Sequence, residues 1–558
     1  MTWITLALLL IHGIILAAAA SDISIHPHVE SPRSSSLSSY DEHVLIQQFP
    51  DGKVLMVASH TRWIHHDDVW IDAYNGHFNL LPRSLGEAFI KHQIEEFQLV
   101  FTQGRWMYDK WGLTCSDSVQ AAPSGVALST VFKNVPDVDA AWKGFTHALS
   151  GLFCASLNFM DDAKTVAWSP LTGVRPWNDT RQARSRYSSL PREAVCTENL
   201  TPWTKLLPCQ TKAGLASLYN SYKVYDANYH SLATSIVSAC RDVDCAKTDL
   251  KFTQSLTVVL DPVRFHNSKD WSFSSLFHHK LSRSCPIANT SVIRLILPAN
   301  ELNPRYELLV EPDESIVDYE NGTALFQYDF SQRNDLDIGI HWNDASVDYV
   351  TCANPSPISI RRSATGFGQE RGGFHVKIVN HNPSSPIEIT YYEYIQWFLK
   401  VYLHTYKVET HPHHSGILKA LSVQPAIDRK RPTVLQARLL LPPNNSITEL
   451  SFDFDMAFIK YTEHPPDAIR GFDVAPAIAI IHGTKFSNST NSNDIRVYTE
   501  PILVSLPTPD FSMPYNVITM TCTLLALFFG STFNMLTRNY VPIQVSSEAL
   551  PSASASAS

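Results

Sequence analysis

VITMTCTLLALFFGSTFNML, residues 517–536, is the stretch that decides the fold class of this chain. It carries no charged residue, and about 20 apolar residues are enough to cross a hydrocarbon core as a helix. Asp510 precedes this stretch and Arg538 follows it. Because positive charge marks the cytosolic side of a membrane helix, we expect the body of the chain in the lumen and only a short tail in the cytosol.

The same stretch is unusually rich in small and polar residues for a helix that faces only lipid. Such residues allow membrane helices to approach each other closely. We therefore expect this anchor to pack against other membrane helices, with a lone anchor as the alternative. The residues concerned are Thr519, Thr521, Thr523, Gly530, Ser531, Thr532 and Asn534.

The amino terminus is a second apolar stretch, MTWITLALLLIHGIILAAAA at residues 1–20. Its alanine-rich end indicates a secretory signal with a cleavage site near residues 18–21, although no Lys or Arg precedes the apolar run. An uncleaved amino-terminal anchor is the alternative. A signal peptide followed by one carboxy-terminal anchor predicts a type I protein whose bulk lies in an oxidising lumen.

Composition narrows the class of protein. The 558 residues carry a net charge of −9 with no basic stripe, which excludes nucleic acid as a partner. Eight of the nine cysteines fall in the predicted lumen and one, Cys522, falls in the anchor, so we expect most of them to be paired. Six glycosylation sequons agree with a luminal location. They are Asn178, Asn199, Asn289, Asn321, Asn444 and Asn488.

Periodicity predicts a mainly β luminal region with a few helices. Strand-like segments separated by turn residues dominate after residue 250 and favour β-sandwiches, whereas the earlier part reads as α+β. The most clearly predicted helix covers residues 137–153. A capping box at Ser84 and Glu87 predicts a second helix. Residues 168–210 are predicted to form an irregular loop rich in Cys and Trp. The predicted division is signal 1–20, α+β domain 21–250, β-sandwich-like region 251–514, transmembrane helix 515–537 and tail 538–558.

Motifs for metal, cofactor or nucleophilic chemistry are weak. The histidines of residues 65–68 (HHDD) and 411–414 (HPHH) lack metal-ligand spacing, so we predict solvated loops and no metal site. The glycines of residues 366–372 lack a βαβ context and predict a turn between strands, with no cofactor. Cys240 lies in a fragment of a cysteine-peptidase signature but has Cys245 nearby, which favours a short internal disulfide. A luminal cysteine hydrolase using Cys240 or Cys154 remains an alternative.

Cys196 stands apart because it lies in a proline-bounded, loop-like segment beside the Asn199 sequon. A glycan three residues away would place this cysteine near the surface. An exposed cysteine in an oxidising lumen is a candidate for an intermolecular disulfide. Internal pairing, for example with Cys209, is the alternative that the residues themselves leave open.

Several long blocks of this sequence resemble the PIG-T family of GPI transamidase subunits, where GPI is glycosylphosphatidylinositol. The resemblance covers essentially the whole chain after the signal and continues into the anchor. The most specific strings are CTENLTPW and LPTPDFSMPYN. The blocks are 81–86 (LPRSLG), 101–106 (FTQGRW), 120–125 (QAAPSG), 149–159 (LSGLFCASLNF), 190–214 (LPREAVCTENLTPWTKLLPCQTKAG) and 498–515 (YTEPILVSLPTPDFSMPY).

The resemblance implies a non-catalytic subunit of the endoplasmic reticulum membrane, with a mostly β luminal region. The family's cysteine before TENLTPW links to the catalytic subunit PIG-K by a disulfide, and it corresponds to Cys196. The other implied partners are PIG-S, PIG-U, the GPI-attachment subunit, the GPI lipid and proprotein substrates. In this mechanism the partner's cysteine forms an acyl-enzyme that the GPI amine resolves, while this chain supplies proximity.

The luminal entrance of the anchor is a second candidate site. Asp510 can accept from the ammonium of a GPI phosphoethanolamine, and Ser512 and Asn516 can bond phosphate or sugar hydroxyls. Ordinary capping of the anchor helix by Ser512 or Asn516, with Pro514 in the first turn, is the alternative. A generic single-pass receptor ectodomain is the remaining alternative for the whole chain.

Overall fold

The computed structural model describes a chain built mostly of β-strands. The description covers residues 38–65, 78–113, 121–168, 180–240, 248–266, 268–299, 306–318, 323–331, 333–343, 355–366, 368, 370–465, 467, 469–482, 494–508, 510 and 512–542. The predicted signal peptide therefore lies outside the described residues. The predicted fold class, a mainly β region with few helices and one carboxy-terminal apolar helix, is confirmed.

Within these residues the strands are β1 Ser39–Gln48, β2 Val54–His65, β3 Ile94–Gln103, β4 Gly125–Phe132, β5 Ser185–Leu190, β6 Tyr229–Cys240, β7 Thr248–Leu260, β8 Trp271–Ser272, β9 Thr290–Pro298, β10 Tyr306–Leu308, β11 Glu314–Asp318, β12 Thr323–Asp329, β13 Gly339–Trp342, β14 Ile358–Thr365, β15 Arg371–Asn380, β16 Ile387–Ile395, β17 Leu399–His411, β18 Leu418–Gln424, β19 Thr433–Leu441, β20 Ile447–Met456, β21 Phe472–Val474, β22 Ile478–Ile481, β23 Ile495–Tyr498 and β24 Ile502–Val504. The helices are α1 Arg83–Lys91, α2 Tyr108–Trp111, α3 Val138–Phe153, α4 Thr180–Ala183, α5 Thr197–Lys205, α6 Ser221–Tyr225, α7 Pro262–His266, α8 Phe273–Phe277 and α9 Ser512–Thr537.

The chain forms two compact units that alternate along the sequence. The first unit comprises residues 1–99, 130–155 and 196–350, and the second comprises residues 100–129, 156–195 and 351–558. The two units therefore do not coincide with consecutive domains divided after residue 250. The predicted pair of domains, 21–250 and 251–514, stays a prediction about the chain's organisation.

A ten-stranded sheet has the order β11-β12-β9-β1-β2-β7-β6-β3-β4-β5. Strand β1 pairs antiparallel with β2 and parallel with β9, and the pairs β2/β7 and β6/β7 are antiparallel. Side chains along β1 alternate between half-buried and buried, as a strand with one covered face requires. Three-stranded (β10-β13-β8) and two-stranded (β21-β24) sheets are separate.

The second unit contains the β-sandwich that the sequence predicts. One sheet has the order β14-β15-β20-β17 and the other β18-β19-β16-β22-β23. A shared core holds Ile360 and Val376 from the first sheet with Ile389 and Leu439 from the second. The glycine-rich residues 366–372 connect β14 to β15, and Gly366 and Gly368 have φ of +95° and +92°, so the predicted turn is confirmed.

The starts of two helices in the first unit can be compared with the capping residues predicted from the sequence. Helix α3 begins after Asp137, whose carboxylate accepts from the backbone N–H groups of Asp139 and Ala140, both at 3.0 Å, so the helix predicted over residues 137–153 is confirmed. The capping box predicted at Ser84 is wrong. Helix α1 already begins at Arg83 after Pro82, and the Glu87 carboxylate accepts from Arg83 Nε at 2.7 Å.

The sequence pattern also predicts strands over residues 449–461 and 497–506, and both end differently in the structure. Strand β20 stops at Met456, because the chain turns into a loop whose residues 461–463 form a 3₁₀ turn. The predicted strand over residues 497–506 divides into β23 and β24. Pro501 lies between them and has no N–H to donate to a sheet.

Helix α9 is the one helix of the described residues that is long and apolar enough to cross a membrane. It has 26 residues and a mean hydropathy of 1.5, and none of its length is buried against the rest of the chain. It begins at Ser512, three residues before the start predicted from the sequence. The chain is therefore one with a candidate membrane anchor close to its carboxy-terminal end.

Candidate functional site

Cys196 is the residue that precedes helix α5. Its backbone is extended, with φ of −138° and ψ of −178°, and its side chain is exposed. Within the described part of the chain, three cysteines have no disulfide partner: Cys154, Cys196 and Cys522. The irregular loop predicted over residues 168–210 is wrong at this point, because β5 and α5 both lie inside it.

The side chain of Asn199 holds the start of α5 in place. Its Oδ1 accepts from the Cys196 N–H at 2.9 Å, and its Nδ2 donates to the carbonyl oxygens of Phe153 at 2.9 Å and Cys154 at 3.2 Å. The amide thus satisfies one unpaired N–H at the start of α5 and two carbonyls at the end of α3. Since a single buried amide joins these two helix ends, Cys196 has a fixed position.

The glycan on Asn199 stays a prediction, and the hydrogen bonds of this side chain disfavour it. N-linked sugars are attached through the asparagine Nδ2, and that atom donates to two carbonyls in a side chain that is only 2% exposed. The exposure of Cys196 therefore has another origin, namely its place before the helix. Asn289 and Asn444 are exposed. Asn178, Asn321 and Asn488 lie outside the described residues.

The other end of α5 is fixed by a buried tryptophan. Trp203 is fully buried, and its Nε1 donates to the Ala233 carbonyl of β6 at 3.2 Å. Beyond it, the Arg62 guanidinium donates to the Leu206 carbonyl at 2.8 Å and to Gln254 at 2.7 Å. Burial lowers the pKa of Arg62 to about 10, so it remains a cation at the carboxy-terminal end of the helix, where the dipole favours positive charge.

Cys209 is unavailable to Cys196, because it forms a disulfide with Cys285. The two Cα atoms are 5.9 Å apart and 76 residues separate them in sequence. The internal pairing of Cys196 with Cys209, left open by the sequence, is therefore wrong. Cys240 ends β6, while Cys245 lies outside the described residues, so their disulfide stays a prediction.

The second predicted site lies at the start of α9. Asp510 Oδ1 accepts from the Ser512 N–H at 2.9 Å, and this hydrogen bond holds the pKa of Asp510 below its usual value. The Asp510 side chain thus caps the start of the anchor helix, a role for which the sequence left Ser512 or Asn516 as the alternative. Ser512 and Asn516 are exposed and four residues apart, so they lie on one face of the helix.

The threonines of α9 satisfy their own hydroxyl groups. The hydroxyl groups of Thr519, Thr521 and Thr523 each donate to the carbonyl four residues earlier, at 2.7–2.8 Å. Such bonds remove the need for a partner helix to accept from these hydroxyls. The expectation that α9 packs in a bundle therefore depends on its small residues more than on its polarity.

A buried polar cluster in the first unit was not found from the sequence. The fully buried Glu42 accepts from the Tyr40 hydroxyl at 2.7 Å, the Leu215 N–H at 3.1 Å and the Ser291 hydroxyl at 3.1 Å, and His60 lies 3.5 Å away. Burial alone would raise the pKa of Glu42, but the hydrogen bonds and charge of His60, with the other donors, hold it below the usual value.

This cluster has the residue types of a catalytic site but no access for a substrate. His60 also bonds the Tyr40 hydroxyl at 2.9 Å and the Tyr219 hydroxyl at 2.6 Å, and the side chains of Glu42 and His60 are at most 1% exposed. The arrangement joins β1, β2, β9 and the 3₁₀ turn Leu215–Leu218. We assign it to the stability of the first unit.

A comparable pair lies inside the sandwich of the second unit. Arg362 Nε is 3.1 Å from Glu393 Oε1, and both side chains are almost fully buried. The N–H is not aligned with that oxygen, so the contact is an ion pair and not a hydrogen bond. The Tyr391 hydroxyl donates to Glu393 at 2.8 Å, and burial raises the pKa of Glu393 despite both partners.

The described residues contain no group of three or more His, Cys, Asp or Glu that could hold a metal ion. His411, His413 and His414 are exposed around the end of β17, as predicted for a solvated segment, and residues 66–68 lie outside the description. The second unit has an open cleft of about 800 Å³ that contains charges of both signs, among them Lys164, Arg192, Glu193 and Asp473.

A family model and several known proteins match this chain over nearly its full length. The sequence model of a family described as the Gpi16 subunit, GPI transamidase component, matches residues 27–270 and 262–556. The GPI-anchor transamidase components PIGT of Mus musculus and Homo sapiens are each 35% identical to this chain, over 92% of it and 91% of their own lengths. The GPI transamidase component GPI16 of Saccharomyces cerevisiae is 30% identical over 96% of this chain and 93% of its own. Among solved structures, a collagen adhesin of S. aureus covers 84% of this chain and 94% of its own at 7% identity, but its TM-score of 0.17 carries no argument.

Proposed function

Because this chain belongs to the family of Gpi16 and PIG-T components of GPI transamidase, we propose that it is the non-catalytic subunit that holds the catalytic subunit through Cys196. The relatives are named as components of the transamidase. The role that we propose for this chain is that of a scaffold. The proposed location is the endoplasmic reticulum membrane, with both compact units in the lumen and α9 as the anchor.

The observation that carries the proposal is the state of Cys196. Its side chain is exposed and has no disulfide within the described residues, and the most obvious internal partner, Cys209, is bonded to Cys285. Asn199 and Trp203 fix the helix that begins at this cysteine. A rigidly placed, accessible thiol in an oxidising compartment is what an intermolecular disulfide requires.

The partner at Cys196 is proposed to be PIG-K, the family's catalytic subunit. The partner's cysteine would react with the proprotein, and the amine of the GPI lipid would resolve the acyl-enzyme. This chain contributes no reacting group in that scheme. It raises the effective concentration of the reacting molecules by holding the catalytic subunit beside the membrane. PIG-S, PIG-U and the GPI-attachment subunit are the other proposed partners.

The start of α9 is proposed to line the entrance for the GPI lipid. Asp510 is ionised at neutral pH, because its pKa lies below the already acidic value of an ordinary aspartate, and a carboxylate has about four acceptor positions. Capping of α9 uses one of these, so capping and binding of an ammonium group are compatible. Ser512 and Asn516 supply hydroxyl and amide groups on the same face.

The test is gel migration of the membrane-extracted protein with and without reductant. Wild type and Cys154→Ser should both give a heavier, reductant-sensitive band that contains a cysteine-protease-like partner, and Cys196→Ser should lose it. Cys154→Ser is the matched control, because Cys154 is also exposed and unpaired in the described part and its carbonyl bonds the same Asn199. A monomeric wild-type band in both lanes would contradict the tether.

A further inference from the structure

The loop between β20 and β21, residues 457–471, exposes two large apolar side chains. Phe458 is 82% exposed and Ile469 is 87% exposed. Among the described residues before α9, every other Phe, Leu, Ile, Val or Met is less exposed, and the nearest is Ile316 at 62%. Two such side chains on one short loop are costly to leave in water.

The base of this loop is tied to the sandwich. The Ala457 N–H donates to the Phe398 carbonyl at 2.8 Å, and the Lys460 N–H donates to Glu463 at 2.8 Å. Glu463 in turn pairs with the guanidinium of Arg429, with 3.2 Å between its Oε2 and the second nitrogen. The fold therefore holds the loop in position while Phe458 and Ile469 project from it.

The same loop lies beside the start of the anchor helix. A small cleft of about 220 Å³ is lined by Tyr461, Thr462, His464 and Pro465 from the loop and by Pro514, Tyr515 and Ile518 from α9. Ile518 belongs to the charge-free stretch 517–536. At 1.5 Å per residue, it is only about 9 Å along the helix from Ser512. The loop thus lies at the level where α9 passes from polar surroundings into hydrocarbon.

We propose that loop 457–471 is a second membrane contact, which inserts Phe458 and Ile469 into the lipid leaflet on the side of the folded body. Tyr461 of the loop and Tyr515 of the helix lie at the headgroup level, where aromatic side chains with a polar tip are favoured. Lys460 and Arg470 are exposed beside the apolar pair and extend to lipid phosphates. The exposed acid of the loop is Asp467, which faces the water or the choline and ethanolamine groups.

Lipid is the occupant because the loop that carries the apolar pair lines a cleft together with the start of the anchor. An interface-bound segment combines apolar side chains, tyrosine and basic residues, and this loop has all three within 15 residues. The inference depends only on α9 crossing a membrane. It is independent of Cys196, of the catalytic partner and of GPI binding at Asp510.

Photocrosslinking in intact membranes tests this contact in the assembled protein. We would introduce p-benzoylphenylalanine at Phe458 and, separately, at Ile469, in membranes that contain alkyne-tagged phosphatidylcholine. The two positions are exposed, so the substitutions leave the core untouched. After irradiation, the expected result is a tagged lipid adduct on this chain at both positions.

Leu403 of β17 is the matched control, because it is exposed in the same unit and lines no described cleft with α9. It should give less than a tenth of the adduct found at position 458. A crosslink from 458 or 469 to a polypeptide would show that a protein covers the loop and would overturn the proposal. Absence of any adduct, or equal lipid adducts at all three positions, would overturn it as well.

Discussion

Asp510 has two roles available to it, and single substitutions separate them. As a cap it needs only an acceptor for the Ser512 N–H, which an asparagine side chain also provides. As a ligand for an ammonium group it needs its negative charge. We expect both Asp510→Asn and Asp510→Ala to lower the yield of GPI-attached reporter severalfold, because both variants lose the charge.

The measurement is the amount of reporter at the cell surface, normalised to the amount of assembled complex recovered. Equal assembly of the two variants confirms that the anchor helix is intact. If Asp510→Asn attaches GPI as wild type does and only Asp510→Ala is impaired, Asp510 serves as a cap alone. In that case Asp510 would not bind the ammonium group of the lipid, and the proposed entrance would have no charged residue.

At the scale of elements, Glu42 connects parts of the first unit that are distant in sequence. Its folded pKa is lower than the unfolded value, so its stabilisation is fully present above the ordinary glutamate pKa and is lost as pH falls through the lower folded value. Glu42→Gln replaces one carboxylate oxygen, which accepts hydrogen bonds, with an NH₂ group, which donates them. This NH₂ group would face the groups that donate to Glu42 in the wild type. We expect a loss of about 2–3 kcal/mol in the free energy of unfolding at pH 7.

Thermal unfolding of the detergent-solubilised protein at pH 7 and pH 4 measures this effect. The wild type should lose more stability on acidification than Glu42→Gln, because the variant lacks the titrating group. Glu87→Gln is the matched control, since its ion pair with Arg83 is exposed and contributes at most about 0.5 kcal/mol. Equal acid sensitivity of wild type and Glu42→Gln would contradict the assignment.

The elements that could be predicted were those with signals local in sequence. Helix α3 has its cap and apolar face close together in sequence, and some strands of the sandwich, such as β20 and β23, show period-two burial. Helix α5 was missed, because it contains Pro202 and three threonines, which are poor helix formers. Burial of Trp203 and the Asn199 hydrogen bonds stabilise it nevertheless.

The candidate site was predictable to a different degree at each position. The role of Cys196 was predicted from a long string of residues shared with the family. The hydrogen bonds of Asn199 that hold the start of α5 reach the end of α3, over 40 residues away in sequence. The Glu42 cluster joins residues at positions 60, 215 and 291, and sequence spacing carries no information on such contacts. The alternation of the two units along the chain also depends on contacts between residues that are distant in sequence.

At the scale of the whole molecule, α9 is where this chain can pack against other membrane helices. Thr519, Thr523, Ala526, Gly530 and Asn534 follow a spacing of three or four residues and form one stripe of small or polar side chains along the helix. An added Cβ at Gly530 meets no atom within 4 Å among the described residues, so this part of the chain does not require glycine there. A partner helix that approaches closely would require it.

We therefore expect Gly530→Leu to leave expression and the Cys196-linked dimer unchanged while it lowers co-purification of the other membrane subunits severalfold. The added side chain separates the two helix backbones, and none of the apolar span of α9 is buried against the described rest of the chain. Phe528→Trp is the control, because it adds bulk about 160° around the helix from Gly530. Undiminished co-purification of the subunits with Gly530→Leu would favour a lone anchor that faces lipid on all sides, and recruitment of these subunits would then have to occur through the luminal units.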